Sequence, residues 1–292
     1  MDLRALETFR AVVECGGISR AAERLHRAQS SVTARIRQLE ASLGSELFLR
    51  EGRSLRLTPT GEVLFGYAGR LLDLAEEART AVHRDRVCGR LRLGAMESVA
   101  ASRLPRPLAA FHRQYPEVSV ELQTATSQEL IARMQAGELD ASVVGDAVDG
   151  ERFLSTPLYV EHLVLVGCSG CALLDKPKGL AGSTFLVFQG NGCAYRRRLE
   201  RWLQSLRVVP GRMLEFGSYH AILAASAAGV GVSLVPQSVL DLYPQRDELS
   251  LREIPARIAR VDTVLIRPRT AHSSLLNRLL ESLQADARAS AP

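Results

Sequence analysis

The sequence predicts an α+β/α/β multidomain chain: an N-terminal winged helix-turn-helix (residues 1–59), a long linker helix (60–88) and a C-terminal α/β domain (89–292). Three observations carry this. Three short, apolar-periodic helices punctuated by Gly and Ser are followed by a hairpin pattern. A heptad-spaced run then extends from Thr60 to about Cys88. From Gly89 onward, apolar strand runs alternate with amphipathic helices, the pattern of α/β folds with a largely parallel sheet.

Leu3, Leu6, Phe9 and Val13 share one helical face, and Gly16-Gly17 ends that helix. Ser19 is expected to cap a short helix, Arg20 to His26, that packs through Ala21, Ala22 and Leu25. After Arg27-Ala28-Gln29, Ser30 is expected to cap a third helix from Ser31 to about Leu43, closed by Gly44. Its buried stripe is Val32, Ile36, Leu39 and Leu43. Leu47–Arg50 and Leu55–Thr58 are strand-like and flank a turn, Glu51-Gly52-Arg53-Ser54. In the long helix Leu64, Tyr67, Leu71, Leu74, Ala78 and Ala81 follow 3-4-3-4-3 spacing, a seam for a second copy of the chain. The alternative is that this stripe packs on its own domain. Further strands are expected at Leu91–Ala95, Val118–Thr124, Ala141–Val144, Leu163–Gly167, Thr184–Phe188, Met213–Phe216, Gly231–Val235 and Thr263–Ile266. Helices are expected near 102–114, 128–136, 194–206, 219–228 and 272–288.

The net charge of +5 is concentrated: between Ile18 and Thr58 eight Arg face four Glu. A basic N-terminal segment suits a polyanionic partner. The N-terminal run carries acidic residues and reads as a helix, not as a signal peptide. The longest apolar stretch, Ala221–Val235, is shorter than the roughly 20 residues of a membrane helix and is broken by Gly229 and Gly231. No membrane partner is expected. Five cysteines imply no disulfide framework, and a reducing, cytoplasmic location is the expectation. G-x-S-x-G, H-E-x-x-H, the P-loop and G-x-G-x-x-G are absent, so no catalytic residues, metal or cofactor are expected.

A helix-turn-helix lays its second helix in the major groove, and that helix needs short polar donors and Arg on its outer side. Gln29, Ser30, Ser31, Thr33, Arg35 and Arg37 supply them. Gln pairs with adenine and Arg with guanine, while Ser and Thr reach base or phosphate. Free amides at the helix start favour a phosphate. Arg20 on the preceding helix, with Arg50 and Arg53 on the hairpin wing, would extend the contact along backbone or minor groove. Taken singly, each Arg reads equally well as a solvated charge. Double-stranded promoter DNA is the partner the whole arrangement implies.

At Ser19-Arg20-Ala21-Ala22-Glu23-Arg24-Leu25, Gln29-Ser30-Ser31-Val32-Thr33 and Ile36 the chain resembles the LysR-type transcriptional regulators. Leu39-Glu40, Leu43-Gly44, Leu47-Phe48-Leu49-Arg50 and Leu57-Thr58-Pro59-Thr60-Gly61 extend the match. It departs at Ser30, where the family often has Pro, and at Thr33-Ala34, where Ser-Arg is common. Pro105, Phe111–Pro116, Gly137–Asp140 and Ala227–Pro236 carry the resemblance through the rest of the chain. It implies a periplasmic-binding-protein-like effector domain of two subdomains, about 89–160 with 267–292 and 161–266. The crossing strands fall near Leu158–Glu161 and Ile266–Pro268. It also implies a homodimer or homotetramer, with RNA polymerase as a further partner.

Ligands of open α/β sheets sit beyond the carboxyl ends of the strands. Those ends offer Ser98, Thr126, Ser127, Gln189, Gly190, Cys193, Ser218 and His220, most of them beside a helix start where an anion is favoured. A small, carboxylate-bearing effector is the expectation; each residue taken alone reads as an ordinary cap. Tyr195, Phe216 and His220 are candidates for the wall. Cys168-Ser169-Gly170-Cys171 lacks the further ligands that zinc needs. Cys193 occupies the loop where the peroxide-sensing branch of the family carries its reactive cysteine. Arg196, Arg197 and Arg198 lie near it in sequence, so a redox-responsive regulator is the alternative reading.

Overall fold

The computed structural model describes residues 1–51, 54–82, 87–146, 150–174, 177–190, 192–269 and 273–289; it leaves out the side chains at 50, 51, 54, 73, 76, 77, 79–82, 174, 177 and 178. The chain divides into two compact units, residues 1–89 with 136–138, and residues 90–135 with 139–292.

In the first unit the Asp2 carboxylate accepts the Ala5 amide at 2.7 Å and caps α1 (Leu3–Glu14). Leu6, Phe9 and Val12 are buried along it. The second helix, α2 (Ile18–Arg24), packs closely because Ala21 and Ala22 offer little bulk to the core. Gly17, not Ser19, is its N-cap, and the Ser19 hydroxyl instead accepts Gln29 Nε2 at 3.0 Å. The third helix, α3 (Gln29–Leu43), likewise starts earlier than expected. Its N-cap is Ala28, so Ser30 lies inside the first turn and caps nothing. Val32, Ile36 and Leu39 are buried, whereas Leu43 is exposed at the helix end before the left-handed Gly44.

β1 (Phe48–Glu51) and β2 (Ser54–Leu57) form an antiparallel hairpin with Phe48 opposite Leu57. Phe48 packs on Phe9, with ring centroids 5.4 Å apart. The fourth helix, α4 (Pro59–Val82), is set by three residues. Thr58 Oγ1 accepts the Gly61 amide at 2.9 Å and donates to the Glu46 carbonyl at 2.8 Å. Pro59 occupies the first turn, where no amide is required. A Cβ at Gly61 would lie 2.2 Å from the Leu47 carbonyl oxygen, so only glycine lets the helix approach that closely.

Ala68 and Leu72 are buried against this unit, with Leu64 partly buried against the same core. The expected seam therefore loses Leu64 at its start. Tyr67, Leu71, Leu74 and Ala78 stay exposed, Val63 joins them, and Leu74 is 59% exposed. The side chain of Ala81 lies outside the described residues.

The second unit contains, in chain order, β3 (Gly89–Ala95), α5 (Glu97–Ser102), α6 (Pro105–Gln114), β4 (Val118–Thr124), α7 (Ser127–Gln135), β5 (Ala141–Gly145) and β6 (Phe153–Cys168). There follow β7 (Thr184–Phe188), α8 (Ala194–Ser205), β8 (Arg212–Phe216), α9 (Tyr219–Ala227), β9 (Val232–Pro236) and α10 (Gln237–Leu240). The unit closes with β10 (Leu249–Glu253), α11 (Ala256–Ala259), β11 (Arg260–Pro268) and α12 (Ser274–Ala289). The strands form one sheet in the order β4-β3-β5-β11-β6-β9-β7-β8, with β10 on β6.

The sheet is mixed and not largely parallel. β3 runs parallel to β5, and β7 parallel to β8 and β9. Between these two parallel halves lie β11 and β6, antiparallel to each other and to their neighbours. Two subdomains result. β5 and β9 are buried at every position, which explains their unbroken apolar runs.

β6 changes neighbours along its length. Phe153–His162 lies against β11, and Leu163–Cys168 against β9 and β10. The first crossing is thus at His162–Leu163, just past the expected segment. The second is not at Ile266–Pro268. Thr263–Ile266 already pairs with β5, so β11 crosses before Thr263. Arg260 and Asp262 alternate outward at this point, and so the apolar run alone gave too short a strand. β10 was not expected, because Leu249 is its one fully buried residue.

Candidate DNA-reading surface and effector cleft

At 100° per residue, Ser30, Ala34, Arg37, Gln38 and Ala41 of α3 fall opposite the Val32–Ile36–Leu39 stripe, and all five are exposed. Arg35 sits on the flank and is half-buried. The first amides engaged at this end are Ser31 and Val32, both to the Ala28 carbonyl. Those of Gln29 and Ser30 remain at the open helix end, where the dipole favours an anion.

Other side chains predicted to read DNA are tied into the unit itself. Gln29 bridges to Ser19, Thr33 Oγ1 donates to the Gln29 carbonyl at 2.9 Å, and Arg20 Nη2 donates to the Gly16 carbonyl at 3.0 Å. The Gln29–Ser19 bond links α3 to α2, and Arg20 ties α2 to the turn that precedes it. Arg24 pairs with Glu14 at 2.7 Å and ties α2 to α1. Arg53 and the side chain of Arg50 lie outside the described residues.

In the second unit the predicted cleft residues meet across the two subdomains only in part. Ser98, at the start of α5, is buried, and its hydroxyl lies 3.4 Å from the Tyr195 hydroxyl on α8. Thr126 faces the loop after β7: a Cβ at Gly192 would lie 2.6 Å from Thr126 Oγ1. Thr126 also caps α7 reciprocally with Glu129, whose carboxylate accepts the Thr126 amide at 3.0 Å. Gly190, in the same loop, has φ +85° and sits against the Thr126 methyl, so the turn and the close approach both favour glycine.

Ser127 is buried, and its hydroxyl accepts the Gly145 amide at 3.2 Å, holding the end of β5, where a Cβ at Gly145 would lie 3.3 Å from the Ala194 Cβ on α8. Gln189 is exposed, with its amide donating to the Phe216 carbonyl at 2.8 Å. Ser218 caps α9 by accepting the His220 amide, and His220 itself is exposed. Among the wall candidates Tyr195 is buried and Phe216 is half-buried. Tyr219 packs between Phe188 and Tyr195, with centroids 5.2 and 6.0 Å away. Burial pushes both tyrosine phenols well above their ordinary pKa, so both stay neutral.

Two charged groups, Asp146 and Glu161, were not picked out from sequence; a third, Glu97, is the strand-end neighbour of the predicted Ser98. Asp146, after β5, forms an ion pair with Arg198 and lies 4.0 Å from Arg197, joining the two subdomains. Glu161 on the crossing strand β6 is 1% exposed; it accepts Arg103 Nε at 2.7 Å and the Ser238 hydroxyl at 2.6 Å. Ser102 continues the chain of contacts, 3.1 Å from Ser238 and 2.7 Å from the Ser98 carbonyl. Glu97, beside Ser98, faces Ser218, Tyr219 and His220 at the start of α9. An acidic residue at a strand end was a visible signal for Glu97; a lone Glu in an apolar strand was the only one for Glu161.

Cys193 is buried with Sγ 3.7 Å from the Tyr219 hydroxyl. The arginines that follow it are engaged elsewhere. Arg196 pairs with Glu200 and Glu215, Arg197 donates to the Gly192 carbonyl, and Arg198 pairs with Asp146. The geometry gives the thiol no guanidinium partner among the described residues. The CxxC sulfurs face different sides of β6: Cys171 Sγ lies 3.0 Å from the Cβ position of Gly167, and Cys168 Sγ 3.9 Å from that of Gly229. Among the described residues no cluster of His, Cys, Asp and Glu could hold a metal, and no helix is long and apolar enough to cross a membrane.

Residues 3–62 match the family model for the bacterial regulatory helix-turn-helix protein of the lysR family, and residues 84–288 that for the LysR substrate binding domain. The uncharacterized HTH-type transcriptional regulator YusT of Bacillus subtilis (strain 168) is 34% identical, over 97% of this chain and 95% of the relative. Among solved structures, a point variant of full-length OxyR from Pseudomonas aeruginosa superposes with a TM-score of 0.74 at 24% identity. The match covers 99% of this chain and 95% of that one. Full-length CbnR complexed with its target DNA gives 0.70 at 25% identity, covering 98% and 100%. The chain therefore belongs to the LysR-type transcriptional regulators, DNA-binding proteins with a small-molecule effector domain.

Proposed function

We propose that residues 1–59 read a promoter through α3, that 60–88 pair two chains, and that 89–292 bind a small effector between the subdomains. The exposed outer face of α3, with Ser30, Ser31 and Arg37 beside the unengaged Gln29 and Ser30 amides, carries the first assignment. Gln29, Thr33, Arg35 and Arg20 flank it, and Arg50 and Arg53 belong to the wing. The similarity to CbnR, solved with its target DNA, supports the same docking. The exposed stripe from Val63 to Ala78 supports pairing through α4, with tetramers built from such dimers. The chain acts in the cytoplasm as a regulator and not as an enzyme, and RNA polymerase is its partner at the promoter.

The effector site is formed by Ser98, Thr126, Ser127, Gln189, Gly190 and Cys193, with Ser218 and His220 at the rim. Their strand-end position supports this, as does their pairing across two subdomains linked by only two strands. A small carboxylate-bearing ligand fits the helix starts there. Its binding would change the angle between the subdomains and so bias the spacing of the two readers.

Fluorescence anisotropy on DNA from upstream of the protein's own gene tests the reader. Arg37→Ala should weaken specific binding by about 1–3 kcal/mol. Arg35→Ala should produce a smaller loss, uniform over sequences, with a shallower salt dependence. A specific loss at Arg35 and none at Arg37 would reverse the assignment of the outward face.

A further inference from the structure

Glu97 is the first residue of α5, at the carboxyl end of β3. Its carboxylate faces the other subdomain at Ser218, the Tyr219 amide and His220. One oxygen, Oε2, is excluded from solvent and has no hydrogen-bond partner. Burial holds the group above its ordinary pKa, while the Tyr219 amide, the Ser218 hydroxyl and His220 pull it back towards the charged form. A buried carboxylate oxygen without a partner is uncommon in folded proteins and asks for an explanation.

The neighbouring charges show what is missing. Asp146, at the end of β5 in the same subdomain, has Arg198 and Arg197. Glu161 has Arg103. Those guanidinium groups are occupied, and Glu97 forms no ion pair among the described residues. Among the described residues Glu97 thus has no guanidinium partner, only the Coulombic pull of the exposed His220 imidazole, and its Oε2 has no donor. Buried charges in binding sites are paired, and a few such polar groups set ligand orientation.

We propose that the effector carries a protonated amine that pairs with Glu97, which with the carboxylate makes it an α-amino acid. This rests on the effector cleft proposed above. The ammonium donates to Glu97, and the carboxylate lies towards Thr126, Gly190 and Cys193. A purely anionic ligand would instead have to sit beside Glu97 against like charge.

The test uses the full chain and Glu97→Gln, with thermal shift and calorimetry. The probes are the twenty common α-amino acids, each beside its N-acetyl derivative, which keeps the carboxylate and removes the cation. At least one amino acid should raise the melting temperature, with its N-acetyl form binding at least tenfold more weakly. Glu97→Gln should lose at least tenfold affinity for that amino acid. Without ligand, Glu97→Gln should melt higher than the wild type, because it removes a half-buried charge whose Oε2 has no donor. If N-acetyl forms bind as well as their amino acids, the cleft stands and the amine assignment fails. Equal binding to Glu97→Gln, within twofold, also overturns it, as does a lower melting temperature for the ligand-free variant. A flat response to the whole panel overturns both the amino-acid class and the carboxylate reading beneath it.

Discussion

Arg103→Met is the perturbation whose consequence the structure fixes most directly. Glu161 is 1% exposed and takes its two bonds from Arg103 at 2.7 Å and Ser238 at 2.6 Å. Methionine preserves most of the side-chain volume but leaves the carboxylate buried with one hydroxyl for company. Removing one partner of a buried pair costs about 3–5 kcal/mol, because an uncompensated charge remains. For a domain of this size each kcal/mol moves the melting temperature by about 2–4 °C, giving a fall of roughly 6–20 °C. Replacing both partners, as Arg103→Met with Glu161→Leu, removes the stranded charge and should return most of that stability. Scanning calorimetry of the full chain, following the C-terminal transition, measures all three variants. The reasoning fails if Arg103→Met costs less than about 1 kcal/mol, or if the two single losses simply add in the double variant.

Two further outcomes follow from exposed and titratable groups. Leu74→Glu places a charge on the exposed apolar face of α4 without touching the buried Ala68 and Leu72, so sedimentation should show a lighter species while circular dichroism stays unchanged. An unaltered assembly would place the pairing surface elsewhere. For Glu97, whose folded-state pKa is raised, the folded chain holds more protons than the unfolded one just above the ordinary carboxylate value. Stability should therefore fall as pH rises from about 4.5 through the raised value, and this component of the slope should vanish in Glu97→Gln. Parallel denaturation curves for the two proteins across that window would contradict it.

The sequence alone determined the order of the domains and the kind of most elements. Apolar residues repeating at helical spacing, and continuous apolar runs bounded by Gly and Pro, report local burial, which does not depend on the rest of the chain. Val118–Thr124 and Thr184–Phe188 match their expected bounds residue for residue, the first by apolar–polar alternation and the second by an apolar run. Helix starts do not. Ser19 and Ser30 have capping chemistry, but the chain turns at Gly17 and Ala28, and tertiary bonds claim Ser19. Likewise Leu64 fits a heptad yet faces its own core, because spacing gives a face without saying what covers it.

The tertiary structure alone decided charge pairing. Arg103 and Glu161 are 58 residues apart, Asp146 and Arg198 52, and no local pattern links them. It also decided that the Ser127 hydroxyl holds the end of β5. Where the ends of two sheet halves meet depends on long-range pairing of β6 with β11, whose outward Arg260 and Asp262 hide the strand in a one-dimensional reading. Glu97 combines both sources. Its place at a strand end was visible in the chain, but that its Oε2 lacks a donor appears only once the fold sets it against α9 while Arg103 and Arg198 are engaged elsewhere.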